Sequence, residues 1–209
     1  LGNPDEAMEH FEQAAALAPD SPEPWLAMAQ HHRRHDKLDH ALATLESGLQ
    51  SVSKQHPSKA APLWVDTGIL KAQMGRQEEA VDALRKAVRL KPTNGPIHRK
   101  LGNMLHQQGH FPQAVEALQQ AAKYLPADKE IWHELALANE AAGESEEALI
   151  AYQRAQNSGQ KDTSLSRNLG KLAFRLGKHD LARPNLASAA RDDSTDIDTL
   201  IMLGEALEE

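Results

Sequence analysis

The sequence contains no cysteine and few aromatic residues, with three tryptophans, two tyrosines and three phenylalanines among its 209 residues. The lack of cysteine excludes disulfides, thiolate metal ligands and cysteine nucleophiles, although it does not fix the cellular compartment. Because only 4% of the residues are aromatic while 40% are hydrophobic, alanine and leucine must form most of the core. Such a composition favours closely packed helices and predicts an all-α protein.

Basic residues and long apolar runs are also scarce. Lys and Arg number 23 against 30 Asp and Glu, which gives a formal net charge of −7. This balance repels a phosphate backbone, so a nucleic-acid partner is disfavoured. No apolar run approaches the length that a membrane-spanning helix needs, and no basic segment followed by an apolar one marks a secretory signal. We therefore expect no membrane span, and the localisation stays open.

What the sequence does contain is an internal repeat with a period of 34 residues. Its clearest copy carries Trp64, Gly68, Gly75, Ala80, Leu84, Ala87 and Pro92. One shift forward gives His98, Gly102, Gly109, Ala114, Leu118, Ala121 and Pro126. A second shift gives Trp132, Ala136, Gly143, Ala148, Tyr152, Ala155 and Gln160.

The repeat divides the chain into pairs of helices. Residues 1–21 match the second half of a repeat, and residues 197–209 match the first helix of another. Complete repeats cover residues 22–60, 61–94, 95–128, 129–162 and 163–196, the first of them with an insertion around Ser51 to Ala60 that predicts a longer second helix and a loop. Five complete repeats and two halves predict twelve helices. Because both ends fall inside a repeat, we interpret the sequence as a fragment of a longer protein.

Each slot has a mechanical reason. The alanine slot needs a small side chain where paired backbones approach closely, and it holds Ala7, Ala41, Ala80, Ala114, Ala148 and Ala182. The glycine slot between the two helices favours a left-handed residue, and it holds Gly2, Gly75, Gly109, Gly143 and Gly177, with Asp36 in one repeat. Pro184 falls inside a second helix and predicts a bend or a shortening there.

These slots resemble the tetratricopeptide repeat family over essentially the whole chain. The resemblance implies an α-solenoid, a right-handed superhelix of stacked antiparallel helix pairs. It also implies that the first helix of each pair lines a concave groove for a peptide or a partner helix. The expected function is therefore a noncatalytic scaffold for protein–protein interaction, with no cofactor and no metal.

The family pattern assigns groove positions residue by residue. The resemblance implies apolar anchors at Leu26, Val65, Ile69, Leu137 and Phe174. It implies polar and charged contacts at Gln30, Arg33, Arg99, Asn103, His106, Glu134, Arg167, Lys171 and Arg175. Arg167, Lys171 and Arg175 are four residues apart and share one helical face. They either hold an acidic segment of a partner or are paired with Glu134 and Glu140 of the preceding repeat.

Other clusters are weaker candidates for chemistry. His31 and His35 are spaced to share a metal, with His32 and His40 nearby, but Arg33 and Arg34 between them disfavour a cation. Asp192, Ser194, Asp196 and Asp198 alternate like calcium ligands, but a calcium loop needs Gly where Ile197 stands, so a linker that caps the next helix is favoured. His133 and Glu134 begin a zinc-protease pattern that Leu137 interrupts.

Two alternatives to the scaffold stay open. The chain is consistent with the helical arm of a larger enzyme, such as a glycosyltransferase, whose catalytic domain lies elsewhere. It is also consistent with a self-assembling structural scaffold, because Leu200, Leu203 and Leu207 form an apolar face that the sequence leaves uncovered.

Overall fold

The computed structural model describes residues 4–159 and 163–208. All regular structure in these ranges is helical and consists of twelve α-helices and one short 3-10 helix. The predicted all-α class and the predicted number of helices are therefore confirmed. Gly2 and Gln160, which the sequence places in the glycine and proline slots, lie outside the described residues.

The chain divides into two compact units between Met104 and Leu105. The N-terminal unit contains five helices, a 3-10 helix and most of a sixth α-helix. These are α1 (Pro4–Leu17), α2 (Pro22–Arg34), α3 (Leu38–Gln55), the 3-10 helix (Pro57–Ala60), α4 (Ala61–Gln73), α5 (Gln77–Leu90) and α6 (Gly95–Gln107). In each repeat the first helix packs against the second helix that follows it, so α2 pairs with α3 and α4 pairs with α5.

The C-terminal unit follows the same order. Its helices are α7 (Phe111–Tyr124), α8 (Lys129–Ala142), α9 (Ser145–Asn157), α10 (Thr163–Arg175), α11 (His179–Asp192) and α12 (Ile197–Glu208). Within it α8 pairs with α9 and α10 pairs with α11. The interpretation of residues 1–209 as one solenoid with the repeat boundaries given above stays a prediction.

The alanine and leucine slots form the core of the helix pairs. Ala41, Ala80, Ala114, Ala148 and Ala182 are completely buried. So are the residues four positions later in each repeat, which are Leu45, Leu84, Leu118, Tyr152 and Leu186. Each of these second helices therefore buries a small residue and, four positions later, a large one. The small residue lets the two backbones approach.

The slot between the helices is left-handed, as its glycines predicted. Gly75, Gly109, Gly143 and Gly177 have φ between 68° and 82°. Asp36 adopts φ 57° at the same place, and it is the only non-glycine residue with positive φ in the described ranges. Aspartate tolerates this region better than most residues, so the turn keeps its shape there.

Two second helices carry features that depart from a strict repeat, which are the insertion at the end of α3 and Pro184 in α11. Helix α3 has 18 residues against 14 in α5, and the 3-10 helix follows it, so the insertion lengthens the helix. Helix α11 is not shortened by Pro184, because it also has 14 residues. Pro184 is exposed, and Asn185 Nδ2 donates a hydrogen bond to the Leu181 carbonyl at 2.8 Å, so the helix continues past the proline. The bend stays a prediction.

Candidate peptide-binding faces

The predicted groove residues of the N-terminal unit lie on its first helices, and we call their surface the N-terminal first-helix face. Leu26 on α2 is partly buried and packs against the core that α2 forms with α3. Val65 on α4 is also partly buried and packs against core residues of α5 and α6. Ile69 is half-buried, as are Arg33, Arg99 and Asn103, whereas Gln30 is exposed. A cavity of about 430 Å³ is lined here by Gln30, Arg33, Arg34, Asp36, Leu38 and Gln73.

Asp66 joins three first helices electrostatically. Its burial raises the pKa of the carboxyl, while Arg33 on α2 and Lys100 on α6 act in the opposite direction. Neither cation forms an ion pair within the ranges that the structure describes. The face therefore combines partly exposed apolar side chains with two cations on either side of a single carboxylate.

The C-terminal unit presents its own first-helix face on α8 and α10. Leu137, Glu134 and Phe174 are half-buried, and the ring of Phe174 meets His179 edge-on at 5.6 Å between centroids. His106, at the end of α6, is half-buried and its ring lies 5.5 Å from that of Phe111. This face also carries the basic stripe of Arg167, Lys171 and Arg175.

The basic stripe is neutralised inside the chain. Arg167 Nη2 lies 2.9 Å from Asp193 Oδ2, and its Nε lies 2.9 Å from Asp196 Oδ2. Lys171 Nζ lies 3.4 Å from the same Asp196 oxygen. Pairing of Arg167 and Lys171 with Glu134 and Glu140 is therefore not what the structure contains, because both side chains turn towards the loop that precedes α12.

Arg175 does pair with Glu140 on α8, as one of the two interpretations expected. Tyr152 donates a hydrogen bond from its hydroxyl to Glu140 at 2.9 Å. Burial, followed by the charge of Glu140, raises the pKa of Tyr152 well above its usual range. The tyrosine therefore stays a neutral donor and fixes the carboxylate for Arg175.

The loop before α12 uses its aspartates as helix and turn caps. Asp196 accepts hydrogen bonds from the backbone N–H of Thr199 at 3.1 Å and from its hydroxyl at 2.7 Å. Asp193 does the same for Thr195. The predicted capping linker is confirmed, because these oxygens are engaged by the chain itself.

The histidines of the predicted cluster do lie close together, and their rings pack against one another. His31 and His35 lie 4.7 Å apart between centroids, and His32 and His40 lie 5.6 Å apart. Burial, with the nearby His40 and His31, lowers the pKa of His32. No group of three metal-ligating side chains was found among the described residues.

Sequence reasoning missed two grooves between neighbouring second helices. One, the α7–α9 groove, has a volume of about 490 Å³, with Trp132, Leu135 and Asn139 of α8 as its floor. The other, the α1–α3 groove, has about 650 Å³ and a floor of Trp25, Met28 and His32 of α2. The residues that line the two grooves occupy the same positions within their repeats. The available signal was the tryptophan slot together with Ile150, an apolar residue at a place where the two preceding repeats hold Glu116 and Asp82.

The helix pairs and the open faces define a helical-repeat protein. Tetratricopeptide repeat models match residues 1–60 and 99–164, and a TPR repeat model matches residues 70–109. Together they match more than half of the chain, which belongs to the tetratricopeptide repeat family. Proteins of this family are in general noncatalytic scaffolds for protein interaction. No described helix has the length and apolar character to cross a bilayer.

Solved structures of the same fold are similar over most of this chain. YrrB, described as a TPR protein with an unusual peptide-binding site, is 22% identical and has a TM-score of 0.76, with 93% of this chain and 98% of that chain covered. MamA from Desulfovibrio magneticus RS-1 is 20% identical with a TM-score of 0.68, and the match covers 83% of this chain and 96% of that one. PilF of Pseudomonas aeruginosa is 19% identical with a TM-score of 0.71, covering 98% and 90%. No curated protein matched the chain. At these identities the likeness extends to the fold alone.

Proposed function

We propose that the protein is a noncatalytic interaction scaffold that binds a peptide or a partner helix on the N-terminal first-helix face. The observation that carries the proposal is the pair of cations Arg33 and Lys100, which both lower the pKa of Asp66 and form no ion pair among the described residues. Leu26, Val65 and Ile69 supply apolar contact area beside them. A few apolar anchors give affinity, and the cations select an acidic segment and set its orientation.

The C-terminal first-helix face contributes differently. Its anchors are Leu137 and Phe174, but an acidic ligand that reached Arg167, Lys171 or Arg175 would have to displace Asp193, Asp196 or Glu140. Solvent-screened ion pairs of this kind contribute little free energy, so the exchange is feasible but adds little affinity. We therefore assign acidic segments to the N-terminal face and apolar contacts to the C-terminal one.

Charge reversal on the N-terminal face tests this assignment. Peptides selected from a random display library on the wild-type protein should include acidic sequences that the variant Arg33→Glu/Lys100→Glu no longer binds. Lys54→Glu, an exposed reversal on the second helix α3, is the matched control and should keep them. Circular dichroism must give the same helix content for all three proteins. Undiminished binding of every selected acidic peptide by the double variant would refute the assignment.

Self-association is a second candidate that a separate observation favours. Helix α12 exposes 69% of Ile197, 54% of Ile201 and 65% of Leu207, which is a large apolar area for one helix. A second copy packed on this face would bury it. Light scattering across a concentration series should then give a mass that rises with concentration, and Ile201→Lys should restore the monomer. A constant monomer mass in the wild type would exclude this role.

A further inference from the structure

The α7–α9 groove is built from three parallel stripes of side chains. Trp132, Leu135 and Asn139 form its floor on α8. One wall comes from Gln119, Ala122, Lys123 and Pro126 at the end of α7, and the other from Glu147, Ile150, Ala151 and Arg154 on α9. Ile150 is 52% exposed, so an apolar side chain stands at the mouth of the groove without cover.

The lining of the groove contains two alanines, Ala122 on α7 and Ala151 on α9. The same two places one repeat later hold Gln156 and Asn185, and Gln156 Nε2 donates a hydrogen bond to Asn185 Oδ1 at 2.7 Å. That bond ties α9 to α11. Ala122 and Ala151 cannot form such a bond, so the space between α7 and α9 stays accessible from outside.

A buried amide lies in the floor without a hydrogen-bond partner. Asn139 is only 2% exposed, and its Oδ1 accepts no hydrogen bond within the described ranges. Two repeats earlier the same place holds Lys71, which pairs with Glu79 at 2.9 Å. A buried polar group left without a partner is costly, so native proteins rarely keep one. Since Asn139 lines the groove, a ligand there can supply the missing donor.

The charge at one end of the groove is positive. Lys123 and Arg154 line it, and neither pairs with a carboxylate in the described part of the chain. The Arg154 guanidinium is held 4.7 Å from the centre of the Trp132 ring. In the α1–α3 groove the corresponding places hold Ala16 and Ser47. Glu147, the carboxylate of the α7–α9 groove, lies near the start of α9, whereas Arg154 lies near its end.

We propose that the α7–α9 groove binds a short acidic peptide segment of a partner protein. An apolar side chain of the segment packs against Ile150 and Leu135, and a nearby carboxylate sits at Lys123 and Arg154. A backbone N–H of the segment donates to Asn139 Oδ1. Complementary charge at one end, together with the unpaired acceptor, selects an acidic peptide over a neutral or basic one. This site is separate from the N-terminal first-helix face.

Titration by nuclear magnetic resonance tests the proposal on the full chain. The probes are blocked hexapeptides with the sequences Gly-Asp-Ala-Leu-Gly-Ser and Gly-Leu-Ala-Asp-Gly-Ser, which present the aspartate on either side of the leucine. We expect at least one of them to shift the Asn139 side-chain amide and Trp132 indole signals at millimolar concentration or below. Replacement of its aspartate by lysine should weaken binding about tenfold, because two cations are then unmatched.

Two variants separate the groove from the rest of the surface. Ala122→Gln/Ala151→Asn rebuilds the bridge that the next repeat already contains, so it should fold and should abolish binding. Arg154→Glu should weaken binding of the acidic peptide about tenfold, whereas Lys54→Glu and Arg33→Glu should leave it unchanged. The last control keeps the result independent of the N-terminal face.

Several outcomes would overturn the assignment. These are an absence of binding by both acidic peptides, equal affinity for the lysine peptide, or undiminished binding by the bridged variant. If the Trp132 signal shifts with protein concentration in the absence of peptide, a second copy of the chain occupies the groove, and the peptide assignment is also wrong.

Discussion

Alanine at Gly170 should destabilise the α10–α11 pair, while the same substitution at Gly204 should stabilise α12. The two glycines occupy the same slot of successive repeats. A Cβ added at Gly170 would lie 2.9 Å from both the backbone nitrogen and the Cγ of Leu186. A Cβ added at Gly204 would meet nothing within 4 Å among the described residues. Comparison of the same substitution at the two glycines therefore isolates the steric effect of a second helix packed against the first.

The magnitudes follow from two opposing effects. An added methyl group that presses on backbone cannot be relieved by a side-chain rotation, and overpacking of this kind costs about 1–3 kcal/mol. Removing glycine from a helix interior gains about 0.5–1 kcal/mol. We expect Gly170→Ala to lower the free energy of unfolding of its helix pair by about 1 kcal/mol, the difference between the middle values of these two ranges, and Gly204→Ala to raise that of α12 by about 0.5–1 kcal/mol.

Amide hydrogen exchange is the appropriate assay, because stacked repeats unfold partly independently and a single transition is not assured. Exchange in α10 and α11 should accelerate in Gly170→Ala, and exchange in α12 should slow in Gly204→Ala. Gly177, with φ 68° and open space around its Cβ position, is the control for backbone strain. Asparagine should be tolerated at Gly177 and not at Gly170. Unchanged or slower exchange in Gly170→Ala would refute the steric argument.

Three further predictions concern charge and packing. Hydrogen bonds from Thr199 lower the pKa of Asp196 to about 2, so its stabilising contribution is lost as the pH falls from about 4 to about 2, and amide exchange in α12 should accelerate over that range less in Asp196→Asn than in the wild type. Burial raises the pKa of Asp66, so wild-type stability rises as the pH falls through that pKa, and the gain in melting temperature from Asp66→Asn should be larger at pH 7 than near pH 4. Leu118→Ala removes a fully buried side chain and should lower the free energy of opening of α7, measured by amide exchange, by about 2–5 kcal/mol.

The slots that depend on local geometry were predictable from sequence. The alanine slot requires a small residue wherever two backbones approach, and the turn slot requires a residue that tolerates positive φ. Asp36 is the sharpest case, since its φ of 57° follows from its place in the repeat and not from its residue type alone. These requirements recur in every repeat, so each copy of the sequence supports the others.

The charge pairing on the C-terminal face was not predictable in the same way. The sequence analysis considered carboxylates of the preceding repeat as ion-pair partners of Arg167. Its partners in the structure, Asp193 and Asp196, come instead from the loop after α11. Long side chains can turn towards either neighbouring repeat, and their spacing along one helix does not decide which. The α7–α9 groove was not predicted for a related reason. It depends on Ala122 and Ala151, which matter because they cannot form a hydrogen bond between the two helices.

The tryptophan slot explains why equivalent positions need not make equivalent bonds. Trp132 Nε1 donates to the Pro126 carbonyl at 3.0 Å, and His98, one repeat earlier, keeps the pattern with its Nε2 at 2.8 Å from the Pro92 carbonyl. In the first complete repeat the Pro19 carbonyl instead accepts from Ser51 Oγ at 2.8 Å, and Trp25 Nε1 is buried without a partner in the described ranges. Ser51 lies in the last turns of the lengthened helix α3. Ser51 occupies the place that Leu90 holds at the end of α5 and Tyr124 at the end of α7. The competing donor therefore comes from a serine at this place, and one side chain outside the tryptophan slot changes the hydrogen bond that the slot alone would predict.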